Sequence, residues 1–464
     1  MIILQQKINF LQVGDIEEIT IGGMGHTGEG IGRAEGVAVF VPGALPGETV
    51  KVRIDQVKKN YARGELLEII QKASARISSR CPFTKACGGC HLQHLDYQEQ
   101  LRHKREMVLS ALKRIGGLEN IEVLTTLGMD DPWHYRNKVH LQVKKDGNRI
   151  QLGFFADGTH QMVAEVAKHK CLLVHEKMNQ IMATLQELIN TDSLSVYCWK
   201  RKEGLLRHVM IRRGYRSGQV MVVFVTSPEE WPGAKKLAKD LIARHPEVTS
   251  VIRNINHQPG RAVLGRENHL LAGEESIMDW IEDLKFKISA SSFYQVNSIQ
   301  TEALYGKVLE YAGLQGDETV VDAYCGIGTI ALFLARHAGE MIGLEIVEQA
   351  VEDARQNALL NNLTNTRFYS GPVEKLLPQM ASKGQKADVV ILDPPRKGCA
   401  REVLNAVTAM QVPRIVYVSC DPATLARDLG ILSKMGYQAA KVQPVDMFPW
   451  TSHCEAVGLV VREQ

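Results

Sequence analysis

No stretch of this chain approaches the roughly 20 apolar residues of a membrane span. The opening M-I-I-L-Q-Q-K is too short an apolar run for a secretory signal. A cytoplasmic protein without membrane contact is expected. Charge of one sign is lacking too, since 55 basic and 52 acidic residues leave a net charge of +3. No global field therefore announces a polyanionic partner, and a nucleic-acid surface must be a local patch. The nine cysteines (81, 87, 90, 171, 198, 325, 399, 420 and 454) are odd in number and follow no secretory signal, which argues against a disulfide framework. Composition is otherwise that of a soluble globular protein, 45% hydrophobic and 23% charged. At 464 residues the chain exceeds one core, and two to four domains are expected.

The most informative stretch is Val416 to Ala423, V-Y-V-S-C-D-P-A. An apolar, β-favouring run ends there in Ser419-Cys420-Asp421-Pro422, and Ala423 to Met435 reads as a helix. A thiol at the carboxyl end of a buried strand sits where α/β sheets present reactive groups. The helix start is expected to favour the thiolate, the form that attacks carbon. A lone cysteine is more often a buried structural residue. Two further strand ends, Asp322-Ala-Tyr-Cys-Gly-Ile-Gly-Thr329 and Leu392-Asp-Pro-Pro-Arg-Lys-Gly398, stand at doubly wound spacing and favour a nucleophile at Cys420.

Taken in order, the chain opens with an all-β module. Ile16–Ile21, Val37–Val41, Glu48–Ile54 and Gly64–Ile69 are short apolar-rich runs between glycine-rich turns, the pattern of an oligonucleotide-binding-type barrel. Lys51, Arg53, Lys58, Lys59 and Arg63 are compatible with phosphate contact, though a solvated face accounts for them equally well. Next comes Cys81-x5-Cys87-x2-Cys90 in a turn-rich segment. Three thiols so spaced point to ligation of zinc, copper or an iron–sulfur cluster. A fourth ligand is needed, from His91, His94 or the Cys171 of Lys168-His-Lys-Cys171. A second C-x2-C pair, usual for zinc, is missing, and this favours a four-thiolate iron–sulfur cluster.

From about 96 to 290 an α+β domain is expected. Tyr97 to about Leu118 has helical periodicity, and Val139–Val143 with Ile150–Phe155 read as strands. Lys200 to Arg216 holds seven Lys or Arg against one Glu and leads into Val220–Val225. That reads as a hairpin with one buried and one basic face, the latter an RNA surface. From Ser291 onward strand and helix signals alternate in the βαβ manner, starting with a helix over Thr301 to Ala312 and a strand over Thr319–Ala323. The first strand ends in the glycine loop, whose backbone can approach a ligand closely. Glu345 closes the second strand 23 residues after Asp322, where an acidic side chain meets ribose hydroxyls. The Asp-Pro-Pro strand end and seven strands favour S-adenosylmethionine over a dinucleotide.

With these residues in view the chain resembles the bacterial RNA uracil-C5 methyltransferases, in particular their iron–sulfur branch acting on 23S ribosomal RNA. The resemblance rests on G-G-x-G and V-F-V-P-G-A-L-P-G-E of a TRAM domain, the cysteine motif, F-Y-Q-V-N, D-x-Y-C-G-x-G-T, L-D-P-P-R-K-G, S-C-D-P and D-M-F-P-W-T-x-H-x-E. It implies three domains: a TRAM barrel over 1–72, an iron–sulfur motif and central α+β RNA-binding domain over 73–290, and a Rossmann-like α/β methyltransferase domain over 291–464. It also implies that Gln295, Tyr324, Glu345 and Asp393 line the S-adenosylmethionine pocket. Cys420 would be the nucleophile and Glu455 the base. Cys81, Cys87, Cys90 and Cys171 would hold a [4Fe–4S] cluster. A monomer acting on ribosomal RNA is expected, with transfer RNA the alternative substrate.

The chemistry accounts for the residue types. Carbon 5 of uracil is too weak a nucleophile to take a methyl group unaided, and thiolate addition at C6 concentrates electron density on it. A base must then remove the C5 proton, and the target must be flipped out or unpaired. Cys325 is a rival thiol, whereas Cys399 and Cys454 are expected to be bystanders. Arg396 and Lys397 suit RNA phosphate or a helix cap equally. An amino-group methyltransferase would carry an aromatic residue at position 396 to stack the base, and a cytosine-C5 enzyme would share the thiol. An inactive iron–sulfur RNA-binding protein would have lost Cys420 or Glu455, and both are present.

Overall fold

The computed structural model describes residues 11–156, 159, 161–163, 170–191, 194–258 and 263–463. The opening M-I-I-L-Q-Q-K, and Lys168 and His169 before Cys171, lie outside them. Strands β1 (Ile16–Met24), β2 (Gly30–Ala34), β3 (Val37–Val41), β4 (Thr49–Val57) and β5 (Tyr61–Gln71) close a barrel in the order β1-β2-β3-β5-β4. The two-residue period explains the closure. Val50, Val52 and Ile54 point inward while Lys51 and Arg53 point out. Gly32 and Gly64 allow the strands their close approach, since a Cβ at either would fall 2.2 Å from Ile19 or Val52. The barrel's basic face is partly neutralised, for Arg53 pairs with Glu65 and Arg63 with Glu29.

Helix α1 (Tyr97–Arg114) begins at Asp96, whose carboxylate accepts the Gln98 and Glu99 amides. It and the short β6 (Glu122–Val123) leave the middle segment for the C-terminal domain: Val108 and Leu112 enter that domain's core, and β6 extends its sheet. The central sheet is built from β7 (Lys138–Asp146), β8 (Arg149–Phe155), β9 (Met162–Val163), then β10 (Leu206–Arg213) and β11 (Val220–Thr226) around helix α2 (Glu176–Thr191). Helix α3 (Ala234–Arg244), β12 (Val248–Ile255) and β13 (Glu267–Gly273) complete it, in the order β13-β12-β11-β10-β7-β8-β9.

The β10–β11 hairpin forms as expected, but its basic face does not. β10 lies mid-sheet and is buried along seven of its eight residues. One face packs on α2 and α3. The other is covered by the hairpin β14 (Ser276–Ile281) and β15 (Leu284–Ser289), whose Ile277, Phe286 and Ile288 join Met210 and Met221 in one core. Arg207 and Arg212 are therefore buried, not arrayed on a surface.

The last domain runs α4 (Ser298–Ala312), β16 (Thr319–Ala323), α5 (Thr329–Ala335), β17 (Glu340–Glu345), α6 (Glu348–Leu360), β18 (Thr366–Ser370) and α7 (Val373–Ser382). It continues through β19 (Val389–Leu392), α8 (Arg401–Ala409), β20 (Arg414–Ser419), α9 (Pro422–Ser433), β21 (Tyr437–Val445) and β22 (Glu455–Arg462). The sheet order is β18-β17-β16-β19-β20-β22-β21-β6, so the order of strand addition reverses between the parallel neighbours β16 and β19. Doubly wound sheets open a ligand crevice at that point, at the carboxyl ends of the strands. No helix among the described residues is long and apolar enough to cross a membrane.

Candidate active site

Cys420 follows directly on β20, in a turn where the Ser419 hydroxyl accepts the Asp421 amide at 3.2 Å. Pro422 occupies the first turn of α9, and the Asp421 carboxylate caps it by accepting the Ala423 and Thr424 amides at 2.8 and 3.2 Å. Antiparallel β22 lies beside β20 with Ser419 opposite Ala456. One register step further, Glu455 stands across from Cys420. A strand pairing thus brings together residues 35 apart in sequence.

The charge environment of the thiol departs from the sequence-based expectation. Burial, then the carboxylates of Glu455 and Asp393, push the Cys420 pKa up, and Arg396 alone of the named neighbours pulls it down. The helix start does not win because Asp421 already occupies its first amides, and carboxylates arriving from two other strand ends lie close by. Burial and Asp393 raise Glu455 to about 8, and burial raises Asp393 to about 7. Thiol and carboxyl are thus both protonated near neutral pH in the free protein. If thiolate and carboxylate are the working forms, kcat/KM should climb as pH rises through about 8. Arg396→Met removes the cation and should move that limb to higher pH; a flat profile would overturn these roles.

Beside this pair a pocket opens, lined by Phe293, Asp322, Tyr324, Gly326 and Asp393 among others. Gly326 and Gly328 take φ of 56° and 81°, and Tyr324 itself sits at 70°. The Leu344 carbonyl holds this strained loop by accepting the Tyr324 and Cys325 amides at 2.9 and 3.0 Å. Glu345 braces it from β17, accepting the Gly326 amide at 3.0 Å and the Val347 amide at 2.8 Å. Its carboxylate retains lone pairs for a ligand hydroxyl. Asp322 is fully buried, with neither carboxylate oxygen hydrogen-bonded, and burial with the neighbouring Asp393 pushes its pKa well up. Two buried carboxyls without a cation fit a ligand that brings one, as the sulfonium and ammonium of S-adenosylmethionine do.

Gln295 is not among the residues lining this pocket, although Phe293, two residues before it, is. Gln295 is buried, and its backbone carbonyl accepts the Asn137 side-chain amide at 2.9 Å. Cys325 also lines the pocket, but its sulfur rests over Gly343, where a Cβ would meet it at 2.8 Å, and burial holds its thiol protonated. Cys399 and Cys454 are buried, and burial pushes each up to about 12. Lys397 offers its carbonyl to Arg427 at 3.0 Å.

The four cysteines come together from two distant segments. Burial above all, and then the charges of Cys171, Cys87 and Cys81, push Cys90 up to about 12. Cys171 is raised by burial and by Cys87 and Cys81. Asn179 fixes the Cys171 backbone from both sides, at 2.8 and 3.1 Å. Thiols that would repel as thiolates beside Trp450 and Tyr135 fit a cationic inorganic core that compensates their charge. Among the described residues no group of three or more His, Cys, Asp or Glu side chains is placed to hold a metal ion, so the arrangement does not itself bear out the expected cluster. His91 instead meets the His453 ring at 6.1 Å, and burial lowers His94 to about 4.

Sequence reasoning missed what steadies the segment before Glu455. Lys104 of α1 and Asp446 form an ion pair with both side chains fully buried. Tyr97 donates to Asp446 at 2.9 Å and Lys104 to the Phe448 carbonyl at 3.1 Å. The Trp450 carbonyl accepts the His91 and Leu92 amides at 2.9 and 3.0 Å, joining the cysteine segment to a point five residues before Glu455. Trp450 stacks on Trp133 at 4.2 Å. The available signal was the H-K-R run of α1, whose middle residue sits on its buried face.

Comparison with known proteins agrees with this architecture. The family model described as tRNA (uracil-5-)-methyltransferase matches residues 96–463, and a TRAM domain matches 11–67. A Clostridium tetani protein described as an uncharacterized RNA methyltransferase is 47% identical over 440 residues, covering 95% of each chain. A Listeria innocua protein of the same description is 45% identical, covering 98% of this chain and 99% of its own. Among solved structures, the Pyrococcus abyssi tRNA (uracil-54, C5)-methyltransferase in complex with S-adenosyl-L-homocysteine superposes with a TM-score of 0.77 at 29% identity, covering 96% of this chain and 99% of that one. With a TRAM barrel, a switch-point crevice and a family match reaching from α1 to the last strand, the chain belongs to the S-adenosylmethionine-dependent RNA (uracil-5-)-methyltransferases.

Proposed function

We propose that the protein methylates carbon 5 of a uridine in 23S ribosomal RNA, with Cys420 as nucleophile and Glu455 as base. The observation that carries this reading is the β20–β22 register, which sets Glu455 across from Cys420 beside Asp393. The Cys420 thiolate adds to C6 of an unpaired uracil, and the electron pair of the C5–C6 bond is pushed toward C5. S-adenosylmethionine supplies an electrophilic methyl group to that carbon. Glu455 then takes the C5 proton, the C5–C6 double bond re-forms, and the sulfur–C6 bond breaks. Tyr324, Glu345 and Asp393 hold the methyl donor, and Gln295 lies beside the base. Cys81, Cys87, Cys90 and Cys171 would hold a [4Fe–4S] cluster, next to the His91 and Leu92 amides that bond the Trp450 carbonyl.

Transfer RNA is a second reading, favoured by the whole-length likeness to the Pyrococcus abyssi enzyme. Mass-spectrometric mapping of 5-methyluridine in ribosomal and transfer RNA from a deletion strain separates the two. Loss from one or more 23S positions, restored by the purified protein, is the expected result. Loss confined to transfer RNA would replace the ribosomal reading, and full 5-methyluridine in both would overturn uracil methylation.

A further inference from the structure

Strand β10 carries one residue more than its partner: Leu206 pairs with Thr226 and His208 with Val225, leaving Arg207 as a bulge. Bulges re-aim side chains. Here Arg207 swings beneath two aromatic residues of the preceding segment, its guanidinium 4.5 Å from the ring centroids of both Tyr197 and Trp199. The two rings meet edge to face at 5.1 Å. Arg207 is pinned by the Asn256 and Gln258 carbonyls, and His208 approaches Trp199 at 6.1 Å. Trp199 nevertheless keeps 47% of its surface open. A large ring held rigid from below and exposed above has lost its rotamer entropy before any ligand arrives.

Buried and half-buried basic side chains follow β10 from this ring toward the pocket. Arg212, five residues beyond Arg207 on β10 and so about 16 Å along the strand, donates to the Ser289 and Ser292 carbonyls at 2.9 and 2.7 Å, just before pocket residue Phe293. Lys138, opposite Arg212 on β7, places its amine 5.9 Å from the Phe293 ring. Burial, then Arg212 and Arg136, lowers Lys138 to about 7, and burial, then Lys138, Arg212, His208 and Arg136, lowers His140 to about 4. None of these neighbours is a carboxylate. Nitrogens of Arg207, His208, Arg212 and His140 are buried without a hydrogen-bond partner among the described residues. The turn beyond Trp199 adds exposed Lys200 and Arg201.

We propose that Trp199, buttressed by Tyr197 and Arg207, is a second base-stacking subsite, which takes an unpaired RNA nucleotide flanking the target uridine. The proposal rests on RNA being the substrate. The exposed Lys200 beside the ring can meet an adjoining phosphate, and the ring takes a base without reading its sequence, because every base has a π-face. The outward-facing surface of the central domain thus contributes an aromatic anchor where sequence patterning suggested a row of arginines.

The test uses the full-length protein and a fluorescent oligouridylate of about 12 nucleotides, within the range of single-strand site sizes. Stacking is worth about 1–3 kcal/mol per base, so Trp199→Ala should weaken binding about 5- to 150-fold, and Trp199→Phe should recover most of it. S-adenosylmethionine affinity should not change, and the loss on RNA substrate should sit in KM. The unsubstituted protein gives an independent readout. Cys198 adjoins Trp199, and the backbone amides of Arg201 and Lys200 lower its pKa, so it should alkylate readily. Oligouridylate should slow that alkylation. Unchanged affinity in Trp199→Ala, or a Cys198 that stays equally reactive with the probe bound, would overturn the subsite. Methyl transfer to RNA by the parent protein in the same experiments would leave the proposed activity standing, and its absence would count against that activity instead.

Discussion

Glu455→Gln protein, mixed with RNA and S-adenosylmethionine, is expected to accumulate a protein–RNA species that survives denaturing electrophoresis and contains the transferred methyl group. The variant keeps Cys420, so thiolate addition and methyl transfer proceed, while the group that takes the C5 proton is gone and elimination stalls. Turnover should fall about 10²- to 10⁴-fold, the usual weight of a positioned acid or base. Cys420→Ala should bind both substrates and form no adduct, and the double variant should form none either.

Misfolding is not the expected confounder. The folded Glu455 pKa is raised from 4.5 to about 8. Its stabilising contribution is therefore complete below 4.5 and is lost as pH rises toward 8. Removing the carboxyl removes that loss, so the Glu455→Gln protein should melt no lower than the parent at neutral pH. Rapid turnover by Glu455→Gln would assign the proton to another base. An adduct persisting without Cys420 would move the nucleophile elsewhere.

Cys171→Ser is expected to cost the protein its metal, its colour and part of its fold together. Anaerobically purified parent protein should be brown and carry about four irons, and the variant should be pale and iron-poor. Because Cys171 and the 81–90 segment come from distant parts of the chain, and that segment bonds the Trp450 carbonyl, the damage should spread toward Glu455. A loss of about 2–3 kcal/mol would lower Tm by roughly 4–12 °C in domains of this size. Methyl transfer should fall with it, while S-adenosylmethionine binding, served by β16, β17 and β19, survives. Stoichiometric zinc in a colourless parent would sink the iron–sulfur assignment. Unchanged Tm and turnover in Cys171→Ser would detach the cysteines from the active site.

Much of the candidate site was legible because its signals are local. Each strand of the catalytic sheet is an apolar run ending in a short polar motif, and the side chains in those motifs lie at the sheet's carboxyl edge by construction. The barrel was legible for a related reason, since two-residue alternation in β4 and glycines where strands cross are properties of neighbouring residues. The cysteine spacing suggested a ligand set, and the choice of Cys171 as its fourth member came only from the family resemblance.

Hidden from the sequence was whatever depends on a second surface. The run from Lys200 to Arg216 suggested one basic face, because alternation along a strand reports which side is apolar and says nothing of what covers the other. The β14–β15 hairpin covers it, and burial turned Arg207 and Arg212 into supports for a loop and an aromatic ring. Lys104 read as one more cation on a helix until Asp446, 342 residues away, met it in the core. Cys420 is the sharpest case. Sequence alone located the thiol at a strand end before a helix, and the local dipole argued for a lowered pKa. Tertiary structure decided the opposite direction for the free protein, because Glu455 and Asp393 reach the thiol from other strands of the sheet. Local sequence specifies which groups stand at the sheet's edge; the electrostatic balance among them depends on distances and burial that exist only once the strands have paired.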